Sequence, residues 1–333
     1  MHAVKLADGA EYRCADDDTL LRAGLRAGLG FPYECNAGSC GTCKVELIEG
    51  QVTSLRPDAP GLSDRDRAKN RVLACQSRPA SDCAIKVRLR PENVPHHRPA
   101  RFTARLEGFR DLTHDMREFR FSSSKSPGFL PGQYALFYLP GLDAPRTYSV
   151  SNVDEGRGEW EFVVRRVPTG VGTMTLFDRV PVGSEITLDG PYGLAYLRAD
   201  SPRDLVLVGG GSGLAPMLSL ARGAVREPKL AGRNIHVFYG ARSARDLAGE
   251  AEIAALPGYG ERLFFQQVLS EPEPGTWSGP TGFVHEHVRG FVGERWPEFE
   301  YYFAGPPLMA QAVQQMLIEK RVPFPQVHFD SFY

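Results

Sequence analysis

Hydrophobic and polar positions alternate in short runs along this chain, and the style of the alternation changes twice. Up to about Arg90, the runs AVKLADG, EYRC, KVELIEG and AIKVRLR follow the two-residue period of half-buried strands, and TLLRAGLRAGLG has helical spacing. This pattern predicts a small mixed α+β module. From Arg101 to about Ala199, RFTARLEGF, MREFRFSS, YALFYLP, EWEFVVRRV and EITLDG are strand-like runs divided by Gly and Pro turns, as in an antiparallel barrel. A helix near TMTLFDRV interrupts them. From Arg203 onward, DLVLVGGGSGLAPMLSLARGAV, NIHVFYGAR, RLFFQQVLS and YYFAGPPLMAQAVQQMLIEK alternate apolar runs with helical stretches, the βαβ rhythm of a doubly wound parallel sheet. Between the first two modules lies PENVPHHRPAR, whose prolines suit an extended linker better than a helix or a central strand. His96 and His97 in that stretch read as solvated side chains. The expected division is a module at 1–92, a linker at 93–100, a barrel module at 101–200 and an α/β module at 201–333.

Bulk composition agrees with several globular modules and removes some function classes. A chain of 333 residues with 42% hydrophobic and 24% charged positions is too long for one core and contains no apolar run of membrane-spanning length. The N-terminus MHAVKLADGAEYRC lacks the apolar core of an export signal, so the expected address is the cytoplasm, with no membrane. Thirty-nine basic residues against forty acidic ones leave a formal charge of -1, which gives no global field for nucleic acid. Partners must then be recognised by local patches. No Ser-His-Asp set, catalytic carboxylate pair or HExxH segment supports a hydrolase.

All six cysteines, from Cys14 to Cys83, lie in the first quarter of the chain. Cys35-Asn-Ala-Gly-Ser-Cys40-Gly-Thr-Cys43 is followed, after 31 intervening residues, by Cys75, the C-x4-C-x2-C…C spacing of plant-type 2Fe-2S sites. Three thiolates from one loop and one from a distant segment can surround two irons, and the intervening small residues let backbone amides approach the sulfides. A zinc site would favour paired C-x2-C clusters over this asymmetric arrangement. Cys14 and Cys83 fall outside the pattern and read as idle buried thiols.

The barrel segments Pro131-Gly132-Gln133-Tyr134, Arg146-x-Tyr148-Ser149, Arg165 in FVVRRV, Gly170-Val-Gly172-Thr173 and GPYG at Gly190 to Gly193 resemble the flavin-binding segments of the ferredoxin-NADP reductase superfamily. Each makes physical sense. Arg146 offers a permanent planar fork to a pyrophosphate, Tyr148 a ring to stack on isoalloxazine, and Ser149 a hydroxyl to the ring or ribityl chain. Gly170 to Thr173 at a helix start is a natural anion site, and the pyrophosphate favours FAD over FMN. In the last module, Gly210-Gly211-Ser212-Gly213-Leu214-Ala215-Pro216 directly follows a strand and suits a dinucleotide pyrophosphate on a helix N-terminus. Arg242 after the second strand resembles a ribose-side contact, and Ala304, Gly305 and Pro306 resemble the nicotinamide side. Many relatives carry cysteine where Ala304 stands. Asp246 would repel a 2′-phosphate, although Arg242 and Arg245 could pair with one, so NADH is expected over NADPH. The chain ends in aromatics, and Phe332 is the candidate to cover the flavin face. Ser149, Ala304 and Phe332 then form the environment of hydride transfer, with no acid or base catalyst.

In the order cluster module, flavin barrel, nucleotide module, nearly the whole chain is similar to the reductase components of bacterial multicomponent oxygenases for aromatic compounds, particularly those serving toluene 4-monooxygenase and carbazole dioxygenase. The resemblance implies an N-terminal β-grasp 2Fe-2S ferredoxin domain, a central antiparallel β-barrel for FAD and a C-terminal nucleotide domain. It implies electrons passing from NADH through FAD and the cluster to a Rieske-type ferredoxin or a terminal oxygenase, from a monomer. Two other readings stand beside it: a reductase for a biosynthetic enzyme such as a deoxysugar dehydrase, and a redox-sensing binding module. The second has no use for a hydride route.

Overall fold

In the computed structural model, which describes residues 1–331, the first module is a five-stranded mixed sheet with one covering helix. Its elements are β1 (His2–Leu6), β2 (Glu11–Cys14), α1 (Leu20–Arg26), β3 (Lys44–Glu49), β4 (Val52–Ser54), α2 (Asp64–Arg67), β5 (Arg71–Leu73), β6 (Ser77–Pro79) and β7 (Cys83–Lys86). The strand order is β2-β1-β7-β3-β5, with β1 and β7 parallel, while β4 and β6 pair separately. Helix α1 starts where the Thr19 hydroxyl accepts from the Arg22 amide, and it buries Leu20, Leu21 and Leu25. Gly24 on that helix lets Phe31 lie against its backbone, since a Cβ there would stand 2.4 Å from the ring.

The second module comprises β8 (Ala100–Asp111), β9 (Met116–Ser122), β10 (Tyr134–Tyr138), β11 (Arg146–Ser149), β12 (Glu159–Arg165), α3 (Val171–Arg179) and β13 (Glu185–Tyr192). All pairings in the order β11-β10-β13-β8-β9-β12 are antiparallel. An antiparallel bridge from Val150 to Phe162 joins the two outer strands and closes the barrel. Alternation along β12 sends Trp160, Phe162 and Val164 into the barrel core and Val163 into the core of the third module.

The third module comprises β14 (Asp204–Gly210), α4 (Leu214–Arg226), β15 (Ile235–Ala241), α5 (Glu250–Ala254), β16 (Leu263–Leu269), α6 (Val284–Val292), β17 (Phe299–Gly305), α7 (Pro307–Glu319) and β18 (Val327–Ser331). Its sheet is parallel throughout in the order β16-β15-β14-β17-β18. The order reverses between β14 and β17, so the crevice at their carboxyl ends opens beside Gly210 and Gly305. Helix α4 also faces the barrel: Ser219 donates its hydroxyl to the Asn152 carbonyl at 2.6 Å and accepts from the Gly132 amide at 3.2 Å. No helix among the described residues is long and apolar enough to cross a membrane.

The first two modules meet at a fully buried carboxylate. Asp189 of β13 accepts from Arg26 at 2.6 Å on both oxygens and from the Tyr192 hydroxyl at 2.8 Å, with Arg101 at 3.5 Å. Arg26 also reaches Asp18 at 2.8 Å, and Arg101 bonds to Asp17. Tyr134, Leu136 and Tyr192 of the barrel belong to the same apolar cluster as Leu21, Phe31 and Ile85 of the first module. The proline-rich stretch, expected as an extended linker, is in part folded onto the first module. Pro91–Asn93 forms a 3-10 turn with proline at its first position, and the Asn93 side chain donates to the Phe31 carbonyl at 3.0 Å. His96 is exposed and lies 3.1 Å from the Tyr196 hydroxyl.

Replacing Arg26 by methionine strips Asp189 of its nearest cation while leaving it buried, for an expected loss of about 3 kcal/mol. The denaturant midpoint would fall and protease would cut more readily near residues 91–98. An unchanged midpoint would show that Arg101 alone carries the junction.

Candidate functional site

The cysteine loop after α1 turns through left-handed backbone at Asn36, Gly38 and Gly41, which wraps it around its own sulfurs. Cys35 Sγ accepts from the Ala37 and Cys40 amides at 3.4 Å, Cys40 Sγ from the Thr42 amide at 3.5 Å, and Cys75 Sγ from the Gln76 side-chain amide at 3.5 Å. Thiol contacts join Cys35 to Cys40 and Cys43 to Cys75. Among the described residues no three of these sulfurs fall within 4.8 Å of one another. A tetrahedral zinc with bonds of about 2.3 Å would draw all four within about 4 Å. Two separate pairs instead fit two irons with two thiolates each. Burial pushes the Cys14 thiol up to about 12 and raises that of Cys83, which keeps both protonated and inert.

Where the three modules meet, a cavity of about 830 Å³ opens. Its volume lies within the usual range of ligand pockets, about 300–1,000 Å³. Arg146, at the start of β11, lines one end; its guanidinium donates to the Ala144 and Pro145 carbonyls at 2.7 and 3.3 Å and has no carboxylate partner among the described residues. The first turn of α3 faces it. Gly172 makes this possible, because a Cβ there would stand 2.7 Å from Arg146 Cγ. Thr173 braces the turn, donating to the Gly170 carbonyl and accepting from the Val167 amide, both at 3.0 Å. A permanent cation beside unpaired helix amides is an anion cradle.

Tyr148 and Ser149 continue the same wall. Tyr148 packs edge-on against Phe137 at 4.8 Å, and burial pushes its phenol well above the ordinary range. Ser149 donates its hydroxyl to Asp330 at 3.4 Å. Burial, together with the nearby Glu34 carboxylate, pushes Asp330 up to about 7 against the opposing Ser149 hydrogen bond. Across the cavity, the Thr147 hydroxyl lies 3.5 Å from the Cys35 carbonyl, and Tyr134 donates to the Glu34 carbonyl. Side chains of β10 and β11 thus hold the backbone that carries Cys35.

The third wall comes from the turn between β14 and α4. Gly210, Gly211 and Ser212 line the cavity with Pro306. Gly213 rests against the Ala304 carbonyl, 2.0 Å from where a Cβ would be. Arg165, at the end of β12, donates to Asp115 at 2.6 Å and lies 3.9 Å from Asp246. Asp246 accepts from the Ser243 amide and hydroxyl at 3.0 and 2.8 Å; burial opposes its charge, but these bonds, with Arg165 and His114, hold it below the usual carboxylate range. His114, Asp115 and Asp246 converge within 4.8 Å, and Arg165 supplies the cation between the carboxylates.

Residues 5–80 match the 2Fe-2S iron-sulfur cluster binding domain, residues 103–196 the oxidoreductase FAD-binding domain and residues 207–315 the oxidoreductase NAD-binding domain. The chain is 40% identical over 337 residues to a ferredoxin–NAD(P)+ reductase of Metapseudomonas resinovorans, covering 100% of both chains. The chain belongs to the ferredoxin–NAD(P)+ reductases of oxygenase systems. It is also 38% identical to the ferredoxin–NAD+ reductase component of the alkene monooxygenase system of Xanthobacter autotrophicus, over 99% of this chain and 100% of that one. Among solved structures, the ferredoxin reductase in carbazole 1,9a-dioxygenase superimposes with a TM-score of 0.92 at 38% identity, covering 100% of this chain and 98% of that chain. This reductase is an oxidoreductase whose cofactors are a 2Fe-2S cluster, FAD and NAD(H).

Several residues singled out from the sequence lie apart from the cavity. Ala215 and Pro216 are buried in the first turn of α4, where helix packing claims them. Ala304 is fully buried, and Gly305 closes against Gly210 behind the cavity wall. Arg242 projects into solvent, 4.0 Å from Glu271. Arg165 serves the border with the nucleotide turn as much as the flavin side. Phe332 lies outside the described residues. Sequence reasoning missed Asp330, Glu34, Asp115 and Thr147. Only Asp330 had a local signal, a carboxylate alternating with His328 in an otherwise apolar terminal strand.

Gly172→Ala should displace Arg146 and weaken FAD binding about tenfold, corresponding to about 1.4 kcal/mol of overpacking, read from flavin release by fluorescence. Unchanged retention would separate Arg146 from the flavin. Because the folded pKa of Asp330 is raised, its contribution is fully present below pH 3.8 and is lost as pH rises towards 7. Asp330→Asn should therefore abolish that part of the decline in stability, measured by denaturation between about pH 4 and 8.

Proposed function

We propose that this reductase draws a hydride from NADH and delivers electrons singly to a Rieske-type ferredoxin or the terminal oxygenase of a system for aromatic compounds. One observation carries the reading: a single cavity is walled by the Arg146–Ser149 strand, the Gly210–Ser212 turn and the cysteine loop. When bound, FAD converts a two-electron donor into one-electron steps and the cluster carries them onward.

The chain's own residues divide the task of positioning. Arg146 and the Gly170, Gly172 and Thr173 turn hold the flavin pyrophosphate, while Tyr148 and Ser149 border the ring and Arg165 guards the border with the nucleotide. Gly210, Gly211, Ser212 and Gly213 shape the α4 N-terminus for the nicotinamide nucleotide's pyrophosphate, supported by Ala215 and Pro216 beneath. Ala304, Gly305 and Pro306 shape the nicotinamide side, with Phe332 as the flavin cover. Cys35, Cys40, Cys43 and Cys75 ligate the cluster. Asp246, held in its charged form, disfavours a 2′-phosphate, which supports NADH over NADPH; Arg242 remains free to reach the ribose side.

The domain division proposed is 1–92, 93–100, 101–200 and 201–333. The working form proposed is a monomer in the cytoplasm. The relatives' oxygenase systems favour this reading over service to a biosynthetic enzyme, and the nucleotide turn at the shared cavity argues against a sensor.

Anaerobic titration with NADH should bleach the flavin band and then raise a rhombic low-temperature EPR signal. Flavin bleaching with a silent cluster would overturn the internal relay. The kcat/KM for NADH should exceed that for NADPH by about tenfold or more, equivalent to about 1.4 kcal/mol of discrimination. Equal values would remove the role given to Asp246.

A further inference from the structure

A second groove, of about 490 Å³, runs along the ferredoxin module between the β3–β5 edge and the β4–β6 pair. Its walls are apolar at Ile48, Val52 and Leu62, Arg56, Arg67 and Arg71 stand along it, and no carboxylate lines it. Ile48, at the irregularity between Leu47 and Glu49 in the pairing of β3 with β7, is 50% exposed and adds apolar surface to the groove. The nearest buried acid, Asp66, is already held by Lys44 at 2.8 Å and Arg71 at 3.1 Å. Arg67 donates to the Pro57 carbonyl at 2.6 Å, and its one carboxylate partner among the described residues, the solvent-exposed Asp64, stands 4.0 Å away. Arg56 donates to the Ala37 carbonyl at 3.2 Å and makes no ion pair among the described residues.

Gln76 lines the groove, and its amide donates to Cys75 Sγ at 3.5 Å. Whatever fills the groove therefore stands one side chain from a cluster ligand. The flavin cavity takes the Cys35–Ser39 side of the cysteine loop, and Arg56 and Gln76 border both that cavity and this groove; with the cavity filled, an acceptor protein has to approach from elsewhere. On a chain of formal charge -1, Arg56, Arg67 and Arg71 without a lining carboxylate make a local basic patch whose charge complements an acidic partner. Arginines around an apolar floor have the composition of a protein-docking site.

We propose that this groove docks the electron acceptor and receives an acidic, apolar-tipped segment of that protein. The inference rests on the electron-transfer reading above and specifies its exit. The test uses the holoenzyme with two probe acceptors, a plant-type ferredoxin of strongly negative charge and a cytochrome c of positive charge. Transfer to the acidic probe should slow about tenfold between low and physiological salt, as steered association does. Arg67→Glu should cause a similar loss at low salt and flatten the salt dependence, while transfer to the positive probe holds or rises. Ile48→Ser should slow the acidic probe without changing the salt slope. In both variants NADH should still reduce the internal cluster at the wild-type rate, which shows an intact fold. Wild-type transfer to the acidic probe that ignores salt, or an unaltered rate in both variants, would overturn the groove as the docking site. Failure of NADH to reduce the wild-type cluster would instead overturn the electron-transfer reading, and the groove's role with it.

Discussion

A carboxylate without access to water must be met by cations and hydroxyls, and at Asp189 these come from two modules at once. Arg26 belongs to the ferredoxin module, while Tyr192 and Arg101 belong to the barrel. An ion pair taken out of water is a poor source of net stability, yet its loss is costly, because Asp189 would keep only the Tyr192 hydroxyl and the more distant Arg101. It therefore acts as a registration point. With α1 fixed to β13, the loop that follows α1 meets β11 where Thr147 reaches the Cys35 carbonyl.

That registration gives the central cavity a polarity. At one end Arg146 and the α3 amides offer positive charge; at the other, Ser149, Asp330 and Glu34 gather beside the cysteine loop. A phosphate-bearing cofactor entering such a cavity has one electrostatically sensible direction, with its anion at the arginine and its ring at the carboxyl end. The ring end is also where Thr147 and Tyr134 reach the backbone carbonyls of Cys35 and Glu34. In the proposed site, orientation of the cofactor and proximity to the cluster would follow from one arrangement.

The barrel and the nucleotide module are joined more continuously. Strand β12 contributes to both cores and ends in Arg165, which bridges Asp115 of the barrel and approaches Asp246 of the nucleotide module. Helix α4 carries the nucleotide turn at its start and meets the barrel at Ser219 and Arg222. A displacement of the turn would have to disturb packed side chains in both modules.

The sequence by itself determined what depends on short-range pattern. Alternation at period two and at helical period was enough to separate a mixed module, a barrel and a βαβ sheet, and the cysteine spacing was enough to name a two-iron chemistry. Arg146, Tyr148 and Ser149 could be singled out together because they are near neighbours on one strand, and the structure places all three on the cavity wall. Only the tertiary structure decided which residues share the cavity. Asp330 and Ser149 are 181 positions apart, Thr147 and Cys35 are 112 apart, and no local period links them. The same holds for the proline-rich segment, whose composition speaks for extension while the contact from Asn93 to Phe31 ties it down. Ala215 and Arg242 show the converse: a motif position names a neighbourhood, but helix phase and strand ends decide whether the side chain faces ligand, core or solvent. The physical reason is that pattern records burial averaged along an element, whereas a site is made by side chains converging across elements, and that convergence is fixed by packing and by buried charge.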